Sequence, residues 1–317
     1  TNMMAETVHE ILPDATIIGT GAVSPTNFRY LDLGLSPLVT GIVDHPYSCS
    51  LPPERVPFGT AMAKRDGVKL GDDQNSFKGL IKSYYRKFEE TGIPRDIWAT
   101  EFGWTTFWFN GKNHNGLQAG YSERAQAVYL VRRFMQSLAL PIKASTQYDF
   151  VDDYGSKADH GEANFGLLRS DFSRKPSFYA IQRMNAILGD CAYDKSVSIT
   201  VENDGLHRGQ VRSELVKDWD EVSIAASNEV HAYGYTNPNR PDARYLAVWS
   251  ALPLDSEFNN RVTTINIEGW DDFNQPPVAV DLMSGVSFDV PLKATDAGIT
   301  LENLSLGDAP LIITLYR

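Results

Sequence analysis

The feature of this sequence that most constrains its fold is a regular alternation of short apolar strands with amphipathic helices over residues 15–189. Such alternation is typical of a parallel sheet, whose strands are short and apolar because helices cover both faces. Apolar runs bounded by glycine, proline or polar residues predict the strands, and helical spacing of apolar residues predicts the helices. The predicted strands are 15–21, 39–45, 97–102 and 144–150, and the predicted helices are 4–12, 74–91, 122–139 and 176–188.

The pattern changes near Asp190, where helical periodicity ends. Short alternating segments follow, separated by Asn, Asp, Gly and Pro, and this pattern is typical of an antiparallel β-sandwich. The sequence therefore predicts two domains, an α/β domain over 1–189 and a β-sandwich over 190–317. The predicted sandwich strands lie at 197–201, 222–226, 245–249, 262–267, 278–282, 299–301 and 311–315.

The charge balance excludes several classes of partner. The formal net charge is -11, whereas nucleic acids and anionic membrane surfaces are bound by basic surfaces. No apolar run approaches the roughly 20 residues of a membrane-spanning helix. We therefore expect neither a nucleic acid nor a membrane as partner.

The cysteines and histidines do not predict a metal site. Cys49 and Cys191 are the only cysteines, so neither a disulfide scaffold nor a zinc-ligand pattern is indicated. Cys49 follows a predicted strand and Cys191 follows a helix that runs back, which places them at opposite ends of the sheet and predicts no bond between them. His114 and His160 lie in polar loops without a ligand cluster, so we expect them to be solvated.

The segment 98–104, Trp-Ala-Thr-Glu-Phe-Gly-Trp, carries the strongest signal for chemistry. A carboxylate at the end of an apolar strand is costly unless it is paired or functional. In parallel α/β barrels the C-terminal ends of the strands form the active-site face. Glu101 is therefore a candidate catalytic carboxylate, and an ion pair with Arg or Lys is the structural alternative. Gly103 allows a close turn and Trp104 offers a ring on which a sugar could stack, which favours the catalytic interpretation.

Residues 100–104 resemble the seventh-strand nucleophile motif of the clan A glycoside hydrolases, which are retaining (β/α)8 enzymes. Further segments resemble other parts of those enzymes in the same order, and the likeness is greatest to family 39 and its relatives, including their C-terminal β-domain. The segments are 14–19 (fifth strand), 44–47 (end of the sixth strand), 126–132 (helix after the nucleophile strand), 148–153 (eighth strand), and 165–168 with 175–180 (closing segment and last helix).

The resemblance implies the C-terminal half of a (β/α)8 TIM barrel, strands 5–8, followed by an antiparallel β-sandwich. It implies a retaining glycosidase that acts on β-type bonds of oligo- or polysaccharides, with Glu101 as nucleophile. Such enzymes use two carboxylates about 5–5.5 Å apart, so no metal or organic cofactor is expected. A secreted or periplasmic location is favoured by analogy alone.

The acid/base of the resembling enzymes is the Glu of an Asn-Glu-Pro motif that ends the fourth strand, and this chain has no such motif. Its first residues resemble the helix after that strand. We therefore expect the acid/base to lie outside this chain, either in a complementary N-terminal half-barrel chain or in another part of a longer polypeptide. In the third alternative, the chain forms a homodimer through its open face and the acid/base is absent. Four carboxylates near strand ends, Asp44, Asp149, Asp152 and Asp153, do not stand at the equivalent place; the last two are predicted to cap a loop or accept sugar hydroxyls.

The resemblance also implies residues that bind the substrate or the nucleophile. His45 or Tyr47 would hydrogen-bond Glu101 and keep it ionised. Gln147 stands where many relatives carry Trp, and it would bond a sugar hydroxyl beside Tyr148. Trp104 and Trp108 are predicted either to stack on sugars or to pack in the core.

The rival prediction from another class is a non-catalytic carbohydrate-binding or structural protein built on a degenerate hydrolase scaffold. The missing acid/base favours this rival, and the complete motif around Glu101 disfavours it. A transglycosylase would share the same site and differ in its acceptor.

Overall fold

The computed structural model describes residues 1–49, 51–56, 70–72, 75–107, 120–155, 160–202, 208–210, 225–227, 230–251, 261–273 and 275–317. We call the part up to residue 189 the parallel-sheet region. Its four strands pair in parallel in the order β1-β2-β3-β4. The elements are α1 Asn2–Ile11, β1 Ile17–Ala22, α2 Ser24–Asp32, β2 Val39–Asp44, α3 Phe77–Thr91, β3 Asp96–Ala99, α4 Glu123–Leu138, β4 Ala144–Ser145, a short 3₁₀ helix Gly161–Asn164 and α5 Pro176–Leu188.

Local signals fix the helix ends. The hydroxyls of Ser76 and Ser122 cap α3 and α4 by accepting from backbone N–H groups in the first turn. Gly92 ends α3 in the left-handed conformation, at φ 68°. Pro176 begins α5, as the sequence predicts.

In the parallel-sheet region, α2 and β4 differ most from the predictions, and β3 ends at Ala99 instead of residue 102. Helix α2 was not predicted, although Ser24-Pro25 at its start is a helix-initiating signal; its polar residues obscure the periodicity. Strand β4 was predicted over 144–150 and spans only Ala144–Ser145. It has one partner strand, β3, which itself ends at Ala99, so the ladder has nothing to continue against.

The hydrophobic core of the parallel-sheet region lies between its strands and the helices α1 to α3. It contains the buried side chains Ala5, Phe28, Leu31, Leu35, Val39, Ile42, Val56, Leu70, Phe77, Leu80, Ile81, Tyr84, Phe88 and Ile97. Helix α1 and the residue that follows it expose apolar side chains, with Met3, Met4, Ile11 and Leu12 each at least 60 % exposed. Within the described part of the chain, neither β1 nor β4 has a second partner strand.

We call residues from 190 onward the two-sheet region. A six-stranded antiparallel sheet has the order β13-β12-β16-β10-β9-β5, a four-stranded one has the order β14-β15-β11-β6, and β7 pairs with β8 alone. The two larger sheets share one core, in which Leu246 and Ile313 of one sheet pack with Ile265 and Leu301 of the other. The strands are β5 Ala192–Tyr193, β6 Ser198–Val201, β7 Arg208–Gln210, β8 Ala225–Ser227, β9 Val230–Asn237, β10 Arg240–Ser250, β11 Arg261–Glu268, β12 Val278–Asp281, β13 Ser287–Asp289, β14 Leu292–Thr295, β15 Gly298–Leu306 and β16 Leu311–Tyr316.

A third cluster of buried side chains joins the two regions. It combines the inner faces of α4 and α5 with the outer face of the six-stranded sheet. The Tyr235 hydroxyl donates to the Met135 carbonyl at 2.7 Å, and Arg124 makes two bonds to the Asp308 carboxylate, at 2.6 and 2.8 Å. The two regions are therefore docked through both apolar and charged contacts.

Three further observations bear on the sequence predictions. Cys49 and Cys191 are both free and buried. No described helix is long and apolar enough to cross a bilayer. The described residues contain no group of three or more His, Cys, Asp or Glu side chains that could hold a metal ion.

Candidate active site

Glu101 lies two residues beyond β3, at the C-terminal edge of the parallel sheet. Asp44 at the end of β2 pairs in register with Ala99 at the end of β3, so the chain after β2 begins level with Glu101. The Tyr47 hydroxyl donates to Oε2 of Glu101 at 3.2 Å, and Nδ1 of His45 lies 3.4 Å from the same oxygen. The sheet thus brings together three residues that the sequence predicted as one site.

The surroundings of Glu101 differ from those of a structural ion pair. In the described ranges no Arg or Lys contacts its carboxylate, whose side chain is 39 % exposed. Nε2 of His45 is engaged at 3.1 Å by the Thr100 hydroxyl, which fixes the orientation of the imidazole ring. The carboxylate is therefore held by hydrogen-bonding neighbours and remains open to a ligand.

The Tyr47 hydroxyl is a hydrogen-bond donor to Glu101. Burial raises the pKa of its hydroxyl well above the ordinary value, and the neighbouring charge of Glu101 raises it further. The proton therefore stays on the tyrosine, and the hydroxyl stabilises the ionised form of the acceptor.

Gly103 allows two segments of the site to approach each other. A Cβ at this position would lie 2.2 Å from the carbonyl oxygen of Tyr148. The Tyr148 N–H donates to the Phe102 carbonyl at 2.8 Å, and the Phe165 ring contacts the rings of both Tyr47 and Tyr148. Tyr148 therefore lies in the same ring cluster as Tyr47, on the face that carries Glu101.

Trp104 does not fit the predicted role of a sugar-stacking ring. Its side chain is only 1 % exposed, and it packs edge-on against Phe102 and Tyr129. A ring with no free face cannot stack on a sugar, so the core-packing alternative is the one that the structure supports. Sequence alone could not separate the two because a Trp after a strand end suits either environment.

The remaining predicted residues are placed as follows. Nε2 of Gln147 donates to the Asp149 carbonyl, whereas its Oε1 is buried and has no hydrogen-bond partner among the described residues. His160 is exposed and accepts from the Glu162 N–H at the start of the 3₁₀ helix. Trp108 and His114 lie outside the described residues.

Asp152 holds a loop together. It is 8 % exposed and accepts from the Gly166 N–H and from Nζ of Lys175, both at 2.8 Å. Burial raises the pKa of the Asp152 carboxyl and lowers that of the Lys175 ammonium. Lys175 also donates to the Thr106 hydroxyl at 2.9 Å, which ties the chain after β3 to the loop after β4. These contacts favour the loop-capping interpretation of Asp152.

Sequence reasoning missed Glu162, which lies in the 3₁₀ helix. Its charge adds to that of Glu101 in raising the pKa of both Tyr47 and Tyr148, so it belongs to the same electrostatic environment. The helix is fastened to the site because the Thr105 hydroxyl donates to the Gly161 carbonyl at 2.5 Å. No periodicity in the surrounding loop could have indicated this position.

The burial of two ionisable residues behind the site was not predicted. Arg133 is fully buried and donates to the Pro46 carbonyl and the Ser48 hydroxyl, on either side of Tyr47, and burial lowers its pKa to about 9. Asp44 is buried too, and burial raises its pKa to about 7 although the Ser24 hydroxyl and the His45 N–H donate to it. Charged residues in a helix usually face solvent, so no sequence signal indicated that Arg133 is buried.

Comparison with known proteins gives structural likenesses only. No protein-family profile and no curated protein matches the chain. A family 39 glycoside hydrolase from Bacteroides cellulosilyticus WH2 matches with 20 % identity and a TM-score of 0.65, covering 99 % of this chain and 53 % of that one.

Two other solved structures match over the whole of this chain. A glucosidase from Croceicoccus marinus has 11 % identity and a TM-score of 0.55, and the match covers 63 % of that chain. An α-L-arabinofuranosidase from Thermotoga maritima has 12 % identity and a TM-score of 0.54, and the match covers 61 % of that chain. This chain therefore spans less than two thirds of the length of the structures that it resembles. Together these likenesses show that the chain shares the fold of the matched parts of these glycosidase structures.

Proposed function

We propose that this chain is the nucleophile-bearing part of a retaining glycoside hydrolase of family 39 or a relative. It acts on β-type glycosidic bonds of oligo- or polysaccharides. Residues 1–189 are the C-terminal half of a (β/α)8 barrel, strands 5–8, and residues 190–317 are the accompanying β-sandwich. One observation carries the proposal: Oε2 of Glu101 receives the Tyr47 hydroxyl at 3.2 Å and faces His45 at 3.4 Å.

The chemistry follows from this arrangement. An ionised carboxylate attacks the anomeric carbon and forms a glycosyl-enzyme intermediate, which water then hydrolyses. A donor that stays protonated beside the carboxylate keeps it ionised and orients the other oxygen. The Tyr47 hydroxyl meets that description. The net charge of -11 suits neutral saccharides better than polyanionic ones.

The general acid/base comes from outside residues 1–317 in this proposal. Two observations support a complementary half-barrel as its source. This chain spans 53 % to 63 % of the length of the glycosidases named above. In the described ranges, both outer strands of the parallel sheet have a free edge, and an unpaired edge is a template for another strand.

Covalent labelling tests the role of Glu101 without requiring an acid/base. A 2-deoxy-2-fluoro-β-glycoside with a dinitrophenolate leaving group needs no proton to depart, and its fluorine slows both steps so that the intermediate accumulates. We expect the protein to gain the mass of one fluorosugar from a glucoside or xyloside probe. Peptide mapping should place the sugar on Glu101.

The variants Glu101→Gln and Glu162→Gln form a matched pair for this experiment. Both remove one carboxylate whose charge acts on Tyr47, but only the first removes the proposed nucleophile. We expect labelling to disappear in Glu101→Gln and to persist in Glu162→Gln. Labelling at another residue, or none with any probe, would contradict the assignment of Glu101.

Native mass measurement tests the source of the acid/base. We expect a second chain of roughly 15–20 kDa, about half a (β/α)8 barrel, to accompany this one, or the same sequence to be present in a longer polypeptide. A free monomer or a simple homodimer without glycosidase activity would instead support the carbohydrate-binding alternative.

A further inference from the structure

We infer that Trp249 of the two-sheet region is a positioning residue for the proposed nucleophile, acting through Glu54 and the loop that carries Tyr47. We call the described residues 45–49 and 51–56 the Tyr47 loop. The inference rests on the proposed function, because it concerns how Glu101 is kept ionised and oriented. Hydrogen bonds and two short stretches of backbone join Trp249 to Glu101.

The first link is a buried carboxylate that receives donors from both regions. Glu54, in the Tyr47 loop, is 2 % exposed. Arg132 of α4 donates to it twice, at 2.8 and 2.5 Å, and the indole N–H of Trp249 donates to Oε1 at 2.8 Å. The loop is therefore clamped between a helix of one region and a strand of the other.

The neighbours of the Glu54 carboxylate hold it in its ionised form. Burial alone would raise the pKa of Glu54, but the charge and hydrogen bonds of Arg132, the charge of His231 and the Trp249 bond outweigh it and lower the pKa to about 2. A buried charge of this kind is stable only while its donors are in place. The position of Glu54 therefore depends on Trp249 as well as on Arg132.

The second link runs from Glu54 back to Tyr47. The Phe77 N–H fixes the Glu54 carbonyl at 2.8 Å, and the next carbonyl, that of Arg55, accepts from the Ser48 hydroxyl at 2.8 Å. Ser48 directly follows Tyr47, and Arg133 holds it together with Pro46 on the other side. A shift at Glu54 is therefore transmitted to the backbone on both sides of Tyr47.

The rest of the Trp249 side chain is fixed. Trp249 is fully buried, and the His231 ring stacks on it with centroids 5.4 Å apart and planes within 9°. Packing therefore fixes the indole, and the position of the Tyr47 loop depends on the position of the indole. Because the Tyr47 hydroxyl donates to Glu101, a displaced loop weakens that hydrogen bond, and a bond of this kind favours the charged form of its acceptor.

The test compares two tryptophans of the same region. Trp249→Phe removes the indole N–H that reaches Glu54. Trp270→Phe removes a similar bond, in which the buried indole of Trp270 donates to Oδ2 of Asp194 at 3.0 Å within the core shared by the two sheets. The measurement is the rate of inactivation by the dinitrophenyl fluoro-glycoside as a function of pH, on the full protein or its complex.

We expect Trp249→Phe to move the acid limb of the pH profile upward by about 0.5–1 pH unit and to lower the maximal inactivation rate constant about 5–10-fold, which is the size of effect that a weakened hydrogen bond to a charged group produces. The concentration for half-maximal inactivation should change less than about twofold, because the contacts with the sugar are kept. Trp270→Phe should leave the profile of the wild-type protein unchanged. Equal profiles for the two variants would overturn the inference.

Ser48→Ala keeps the test decisive if Trp249→Phe does not fold. It removes the hydroxyl that joins Arg55 to Arg133 but leaves both cores intact, and the same shift of the acid limb is expected. An unshifted acid limb in Ser48→Ala would overturn the proposed route to Tyr47. Failure of the wild-type protein to be labelled would instead refute the proposed function, so the two failures are distinguishable.

Discussion

The two regions of this molecule bury their apolar side chains in different ways. In the two-sheet region each sheet covers the other, and a continuous apolar core lies between them. In the parallel-sheet region the helices cover the sheet, but α1 exposes Met3, Met4, Ile11 and Leu12 and both outer strands of the described sheet lack a second partner. The region that carries the candidate nucleophile is therefore the one that relies more on contacts outside itself.

Buried charge is distributed unequally as well. Glu54, Arg132, Arg133 and Asp44 are all at most 5 % exposed and all belong to the parallel-sheet region. Buried charges cost stability unless they are paired, and they restrict a loop to one geometry when they are. The buried charges of the parallel-sheet region therefore hold its site in one geometry at a cost in stability, whereas the two-sheet region supplies rigidity.

The largest expected effect separates catalysis from stability. Glu101→Gln should lower turnover of the assembled enzyme by at least about 10⁴-fold, as loss of a nucleophile does in other enzymes. Its unfolding midpoint in urea should stay within the error of the wild type because the side chain is partly exposed and touches no buried charge. A loss of activity smaller than about tenfold would contradict the proposed role.

The second expected effect concerns the buried ion pair of Glu54 and Arg132. Glu54→Ala leaves Arg132 buried without its carboxylate and should lower the free energy of unfolding by about 3–5 kcal/mol. Glu123→Ala removes the partner of Arg169, an exposed pair with a comparable geometry, and should cost at most about 1 kcal/mol. Urea unfolding of both variants measures the difference, and equal losses would show that the buried pair contributes no more to stability than the exposed pair.

The third expected effect is a dependence of stability on pH. The pKa of Asp44 is raised to about 7 by burial, so the folded protein holds this proton more tightly than the unfolded chain does. The stabilisation is fully present below the ordinary carboxyl pKa and is lost as pH rises through about 7. Asp44→Asn should therefore gain a few kcal/mol relative to the wild type between about pH 4 and pH 7. A difference that does not change with pH would refute the assignment.

The smallest expected effect is at the hydrogen bond to the nucleophile. Tyr47→Phe should lower the inactivation rate about tenfold and shift the acid limb upward, because an ionised carboxylate loses a donor. Tyr235→Phe is the control: it removes a buried hydroxyl that donates to Met135 between the regions. We expect that variant to lose about 1 kcal/mol of stability and to keep the wild-type pH profile.

The sequence predicts the order of elements well where one signal dominates. Pro176 and the apolar spacing after it predict α5 with its correct first and last residues, and the Ser122 cap predicts the start of α4. Strand β9, Val230–Asn237, was not predicted because its polar and aromatic residues do not form an apolar run. Propensity decides an element only where tertiary contacts do not.

In the candidate site too, some features follow from local signals in the sequence and others depend on tertiary contacts. Glu101 was predicted because it ends a recognisable strand, and in parallel α/β barrels the strand ends form the active-site face. The resemblance to glycoside hydrolases implied the roles of His45 and Tyr47. The environment of Trp104 and the burial of Arg132 and Arg133 could not be predicted, because they depend on which helix faces which loop. Contacts between residues distant in sequence, such as the Trp249–Glu54 hydrogen bond, decide which helix packs against which loop.

That hydrogen bond also has a consequence for synthesis. Glu54 and Trp249 are 195 positions apart, and chains emerge from the ribosome at about 5–20 residues per second. The Tyr47 loop therefore waits on the order of ten seconds or more after its own synthesis before its last anchor exists. Until then Arg132 is the only one of these two donors available to Glu54. A nascent chain would thus contain strands β1 to β4 before the last anchor of the Tyr47 loop is synthesised, so that completion of the site is a late event.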